Sequence, residues 1–332
     1  MRRMRAKICN VALIKSCIEL ELGDVTLFVG PNASGKSTIM RSIYALTKGS
    51  RDDALKVIFN TIEPVKATNV EIEVEDERLG RSYLGESFER LNAVASYASA
   101  TRPNVFSLAS LISSIKSSIS QLRGVLGLLA DVGQADQSAI SIILSMAKST
   151  LTSAQLYYLQ QLLNPLDLEL SQKIIALMDD ERKKSELRSY LNVFKYVEDP
   201  TDKDVSSIAA RSAGSLYLYP LLVAVLTSRD MLFVDEPETH LEIPNQAILV
   251  KLLSDKAKKG LKVVASTHSE PFVSALASYA SEIGLDVVVY ETTLEEGKVR
   301  VHERRLERGT IPIQRIEEWL QKIYWEEWWS EI

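Results

Sequence analysis

Short runs rich in β-branched residues punctuate both ends of the chain, and each is the length of a strand. They read VTLFVG (25–30), VEIEVE (70–75), MLFVDE (231–236), KVVAST (262–267) and DVVVY (286–290). The second alternates apolar and acidic residues, as a strand with one wet face does. Helix-like stretches separate several of these runs, which predicts an α/β protein with a mixed sheet and helices packed on it. The middle of the chain has a different period. Leu108, Leu111, Ile112, Ile115 and Ile119 form one stripe at helical spacing, and Leu156, Tyr157, Leu159, Leu162 and Leu163 form another. No glycine lies between Gly133 and Gly214.

These patterns divide the chain into four parts. Residues 1–105 and 200–312 are expected to build one core, residues 106–199 a helical insertion within it, and residues 313–332 a Trp-rich tail. Lys and Arg nearly balance Asp and Glu in the insertion, which fits helices that pack on each other or on a partner better than helices lying along phosphates. The tail, WLQKIYWEEWWSEI, holds Trp319, Trp325, Trp328 and Trp329 among acids. It suits a docked terminal helix or a protein-partner interface better than base stacking.

Composition narrows the class. Hydrophobic residues make up 46% and charged residues 25% of the 332, ordinary for a globular protein with a core. No apolar run is long enough to span a bilayer, and the basic N-terminus lacks the features of a secretory signal. The only cysteines are Cys9 and Cys17, with no CxxC pair, so neither a disulfide framework nor a thiolate zinc site is expected and the cytoplasm is the default location. A net charge of −5 gives no support for nucleic-acid binding by bulk electrostatics, though it leaves a local basic groove open.

The candidate chemistry begins at VTLFVGPNASGKST. Gly30-Pro31-Asn32-Ala33-Ser34-Gly35-Lys36-Ser37, continued by Thr38, matches GxxxxGK followed by Ser or Thr, after a strand and before a helix. Such a loop turns successive backbone N–H groups toward phosphate oxygens and adds the positive end of a helix. Lys36 would reach the β- and γ-phosphates of ATP and Ser37 would ligate Mg²⁺. MLFVDEPETHL places Asp235 and Glu236 at the carboxyl end of an apolar strand, where open α/β sheets bind ligands. Asp235 would hold the magnesium through water, and Glu236 would orient or deprotonate the attacking water. Because neighbours on a strand face opposite ways, strand end and loop must share these jobs. The chain has three histidines: His302 reads as a surface residue, His240 as a packing or partner contact, and His268, just past KVVAST, as a donor to a γ-phosphate.

Together GPNASGKST, RSAGS, LFVDEPETHL and STHSE resemble the phosphate loop, signature motif, Walker B strand and switch-histidine loop of ABC-type P-loop ATPases. The wording is most similar to the soluble branch of SMC, RecF and zinc-hook repair ATPases, and above all to the overcoming-lysogenization-defect (OLD) type. The resemblance implies an OLD-type AAA ATPase head without a TOPRIM domain. It also implies that Ser212 and Gly214 bind the γ-phosphate held by a second copy, in an ATP-sandwiched homodimer. Ala213 stands where the signature usually has Gly, and Ser215 where it has Gln. No Gln precedes Gln121 to serve as the Q-loop residue, and Arg102 stands where OLD-type proteins often carry an Arg. The implied activity is ATP hydrolysis driving a conformational switch, in DNA maintenance or antiviral defence. Two other readings are an ATPase subunit of a membrane transporter and a scaffold that binds ATP with negligible turnover.

Overall fold

The computed structural model describes residues 3–61, 65–67, 69–99, 165–178, 180–194 and 213–304. The two helical stripes, Arg102, Ser212 and the Trp-rich tail lie outside these residues. The described strands are β1 (Met4–Cys9), β2 (Ile18–Leu22), β3 (Val25–Val29), β4 (Glu71–Asp76), β5 (Gly80–Leu84), β6 (Phe88–Glu89), β7 (Ala95–Ser99), β8 (Met231–Asp235), β9 (Lys262–Thr267), β10 (Val287–Glu295) and β11 (Lys298–Arg304). The helices are α1 (Lys36–Ala45), α2 (Arg51–Phe59), α3 (Pro165–Met178), α4 (Glu181–Leu191), α5 (Ala213–Thr227), α6 (Ile243–Lys258) and α7 (Glu270–Ile283).

The strands form two sheets. The larger has the order β11-β10-β3-β9-β8-β7, with β10 to β7 parallel and β11 turning back antiparallel on β10. The second, β2-β1-β4-β5-β6, is wholly antiparallel. All five runs seen in the sequence are strands. The 70–75 run, however, belongs to this second sheet. Its alternation is real: Ile72 and Val74 are fully buried while Glu75 is exposed. It pairs with β1, where Arg5 faces Glu75 and Lys7 faces Glu73, so opposite charges meet across the wet face.

The two-residue period explains why the parallel strands read as continuously apolar. Met231 and Phe233 of β8, Val264 of β9 and Phe28 of β3 enter a core shared with the antiparallel sheet, α1 and α2. Leu232 and Val234, Val263 and Ala265, and Val25 and Leu27 enter a second core under α3 to α7. A strand covered on both faces has no position for a polar residue except at its ends. Helix α5 is apolar around most of its circumference for a similar reason, with Leu218, Tyr219 and Leu221–Val225 all buried. No described helix is long and apolar enough to cross a membrane.

The cysteines depart from the expectation that they stay unpaired: Cys9 and Cys17 form a disulfide. The register of the β1–β2 hairpin, with Ile8 opposite Ile18 and Lys7 opposite Glu19, carries these two residues face to face at the end of the ladder. Spacing along the chain shows no such pair, because strand pairing and not a local motif brings them together.

A buried polar junction ties α3 to the core. Glu169 accepts from the Tyr44 hydroxyl and from Lys48 Nζ, both at 2.5 Å, and lies 3.1 Å from Lys173 Nζ. Lys173 also donates to Ala95 O and Ser96 Oγ on β7. Burial pushes the Glu169 carboxyl up, but Lys48 and Lys173 outweigh it and hold it below its ordinary value. Glu169→Ala would leave two half-buried ammonium groups without their counter-charge. Because the junction is partly solvated, the expected loss is about 1–3 kcal/mol of unfolding free energy, read as a lowered urea midpoint.

Candidate nucleotide site

Parallel registers bring three strand ends together. Val29 of β3 lies opposite Thr267 of β9, and Asp235 of β8 lies opposite Ser266 of β9. The chain leaves these ends as the phosphate-type loop, the Walker B loop and the switch-histidine turn. The three motifs, far apart in sequence, therefore border one cleft of about 590 Å³ lined by Asn32, Glu236, Glu238, Thr239, His268 and Ser269.

The loop from Gly30 to Gly35 owes its course to close packing. A Cβ on Gly30, whose φ is +145°, would stand 2.2 Å from Thr292 O, and one on Gly35, at φ +95°, would stand 2.7 Å from Val299 Cγ2. Hairpin β10–β11 is therefore the floor of the loop. Ser34 is fully buried, with its hydroxyl 2.6 Å from Thr292 Oγ1, which itself donates to Val29 O at 3.2 Å. Pro31, Asn32 and Ala33 form the exposed crest, with Ala33 left-handed at φ +61°. Gly35 is also the N-cap of α1 and has no side chain to cap the first turn. Lys36 is 5% exposed and donates to Gly30 O at 2.9 Å and Pro31 O at 2.8 Å. Burial lowers its pKa, while Glu236, Asp235 and Glu238 pull the other way. Ser37 and Thr38 follow in the first turn and are half-buried.

The two adjacent carboxylates do not obey the alternation of a strand. Asp235 ends β8 and is held by Ser266 Oγ and, at 3.3 Å, by the Tyr97 hydroxyl. Glu236 adopts φ +54°, a left-handed conformation that costs a non-glycine residue on the order of 1 kcal/mol or more. Its N–H donates to Ser266 O at 3.0 Å, with Ser266 Oγ at 3.3 Å, and this anchors the kink. The kink resolves how neighbours at a strand end serve one site. His268 Nε2 lies 3.2 Å from Glu236 Oε1, with the two side chains 33% and 26% exposed. Loop carboxylate and switch histidine are thus already paired.

Gly214 lies in α5, whose first described residue is Ala213. His240, at φ +61°, stacks on Tyr217 of α5 with ring centroids 4.1 Å apart, which is the packing role open to it from the sequence. Sequence reading missed Glu238, Ser266, Thr267 and Thr292. Ser266 and Thr267 end the KVVAST strand and Glu238 sits inside DEPETHL, but their partners lie in other segments.

The donor set fits magnesium bound together with a phosphate ligand. Ser37 and Asp235 would supply hard oxygens to it. Mg²⁺ is commonly held by one or two protein oxygens, substrate phosphates and water.

This sheet order and glycine-shaped loop are those of a mixed α/β P-loop NTPase fold. Residues 25–275 match the family AAA_21, described as "AAA domain, putative AbiEii toxin, Type IV TA system", and the chain belongs to that family. A protein of Alkalihalophilus pseudofirmus, described as an uncharacterized ABC transporter ATP-binding protein, is 26% identical over 129 residues, 39% of this chain and 45% of that protein. The match spans less than half the length of that curated relative. Among solved structures, the Pyrococcus furiosus Smc head domain, with an extended coiled coil and bound to the C-terminal domain of ScpA, is similar at a TM-score of 0.47 and 15% identity. That likeness covers 97% of this chain and 100% of the other. The SMC head domain from Thermotoga maritima gives 0.46 and 14%, covering 92% and 100%.

Proposed function

We propose that the chain is a magnesium-dependent ATPase of the OLD-like branch that closes as an ATP-sandwiched homodimer and works as a conformational switch in DNA maintenance or antiviral defence. The observation that supports this most is the convergence of the phosphate-type loop, Glu236 and His268 on one cleft, with the Glu236–His268 pair at 3.2 Å.

In this reading the first-turn amides of α1 and the loop from Gly30 to Gly35 cradle the phosphates, with Asn32 at the cleft wall. Lys36 exchanges the Gly30 and Pro31 carbonyls for the β- and γ-phosphate oxygens. Ser37 and Asp235 hold Mg²⁺, which when bound neutralises charge on the phosphates. Glu236 accepts a proton as water attacks the γ-phosphorus. A water–phosphorus bond forms, the bridging oxygen bond breaks, and ADP and phosphate leave. His268 donates to a γ-phosphate oxygen and stabilises the charge gathering there. Ser212 and Gly214 of the second copy complete the cradle at the start of α5. Residues 106–199 and 313–332 are the proposed contact regions for a protein partner, and the cytoplasm is the proposed location.

Ser212→Arg tests the composite site. It is expected to bind a fluorescent ATP analogue with wild-type affinity and to stay monomeric by light scattering in Mg-ATP, with phosphate release reduced at least tenfold. A variant with full ATPase activity would remove Ser212 from the site. A wild-type protein that forms the ATP-dependent dimer yet releases no phosphate would favour the scaffold.

A further inference from the structure

Glu238 is the third carboxylate of the Walker B loop, and the reaction scheme above gives it no task. Its contacts are nonetheless specific. One oxygen, Oε1, accepts from Thr267 Oγ1 at 2.7 Å and from the backbone N–H of His268 at 2.8 Å. Thr267 Oγ1 in turn accepts from Ser269 N at 3.0 Å, so a single carboxylate organises three consecutive residues at the end of β9. The other oxygen, Oε2, is buried and has no hydrogen-bond partner among the described residues. A second bridge runs parallel to the first. Ser269 Oγ lies 3.0 Å from Gln246 Oε1, and Gln246 Nε2 donates to Leu241 O at 2.9 Å, where the same loop ends. The switch turn is therefore fastened to the Walker B loop at both ends of 238–241, and not only to its own strand.

That fastening has a chemical consequence. His268 is the first residue beyond β9, and its side chain is one-third exposed. Without a brace its backbone would be set only by the strand end on one side and α7 on the other. Holding the His268 N–H fixes where its Cα stands relative to Glu236, and hence the 3.2 Å contact between imidazole and carboxylate. A misplacement of about 1 Å at a reacting group can cost on the order of a hundredfold in rate.

We infer that Glu238 is a positioning residue: through its Oε1 it sets the switch histidine against Glu236, acting by hydrogen-bond acceptance and not by direct contact with the reacting phosphate. This deepens the proposed function and rests on it for the kinetic half of its test. Glu238→Gln keeps an acceptor oxygen at the same reach, so both bonds to Thr267 and His268 survive it. Glu238→Ala removes them.

The experiment compares wild type, Glu238→Gln, Glu238→Ala, His268→Ala and the Glu238→Ala/His268→Ala double variant in steady-state phosphate release. In parallel, the imidazole ¹⁵N shifts are followed in ¹⁵N-histidine-labelled protein, where only three histidines need assigning. Glu238→Ala is expected to lower kcat by about tenfold to a hundredfold with KM changed less than threefold. Glu238→Gln should recover most of that loss, and the double variant should be no slower than His268→Ala alone. In the spectra, Glu238→Ala should move the His268 signal toward that of a free imidazole and leave His302 in place. Thr267→Val removes the hydroxyl that donates to Oε1 and accepts from Ser269 N while leaving the His268 N–H bond, and should shift the His268 signal in the same direction by a smaller amount if the alanine variant fails to fold.

Additive losses in the double variant, an unmoved His268 signal, or Glu238→Gln as impaired as Glu238→Ala would each overturn the positioning role. A wild-type protein without turnover would overturn the hydrolytic reading instead, and the histidine spectra alone would then judge Glu238.

Discussion

Glu236→Gln is expected to lower the rate of phosphate release by about 10²–10⁴-fold while leaving ATP affinity within a few-fold of wild type. The amide keeps the size of the side chain and a hydrogen-bond acceptor toward His268, but it cannot take a proton from water. The backbone kink at φ +54° is held by Ser266 and not by the carboxylate, so the loop should keep its course. With binding groups intact and turnover blocked, the ATP-bound dimer should accumulate. Light scattering with and without Mg-ATP checks this: the variant should pass from monomer to dimer on adding nucleotide. A dimer indifferent to ATP, or a monomer that binds ATP, would remove the sandwich. A variant with wild-type turnover would remove Glu236 from the chemistry.

The second large effect is expected from Lys36→Ala, which should weaken ATP binding by at least a hundredfold. The Lys36 amine donates to the carbonyls of Gly30 at 2.9 Å and Pro31 at 2.8 Å, on the loop proposed to hold the phosphates. Asp235, Glu236 and Glu238 all stand close enough to act on it. Removing this cation would leave three carboxylates facing an anionic ligand with no fixed counter-charge. Helix α1 itself should survive, because Ile39, Met40, Ile43 and Tyr44 anchor its buried side. The check is thermal unfolding with and without Mg-ATP. A ligand at a hundred times its dissociation constant stabilises the native state by about 2.7 kcal/mol, so wild type should show a clear rise in Tm. Lys36→Ala should unfold near the wild-type temperature without ATP and show no such rise.

The two effects separate binding from chemistry, and His268 joins them to the rest of the fold. It pairs with Glu236 in the cleft, while its backbone is fastened to Glu238. The same loop carries His240, which stacks on Tyr217 of α5, the helix that also holds Gly214. On the other side, Asp235 bonds to Tyr97, whose ring packs against Tyr44 and Phe233. Tyr44 donates to Glu169 on α3. Bonded and packed side chains thus run from the cleft to α3 and to α5.

Local order along the chain was enough to determine a good deal of this protein. A glycine-rich loop between an apolar strand and a helix was legible at Gly30 to Thr38, and the structure has that loop between β3 and α1. The strands at 25–30, 231–236, 262–267 and 286–290 were legible because burial on both faces leaves a continuous apolar run. Asp235, Glu236 and His268 could be named because each follows such a run directly.

What only the tertiary structure decided depends on pairing between distant segments. The register of β1 on β2 set Cys9 against Cys17, and the register of β9 between β3 and β8 set Ser266 under Asp235. Thr292 became the floor of the loop because hairpin β10–β11 runs beneath it. The run at 70–75 showed its alternation but not its sheet, since a wet face looks alike in either one. Glu238 was invisible as a brace because an acceptor's role is defined by its donors, and Thr267 and His268 lie at and just beyond the end of β9. Strand period and loop composition are properties of neighbours in sequence, whereas register, the left-handed kink at Glu236 and the partners of a carboxylate exist only once the sheet has closed.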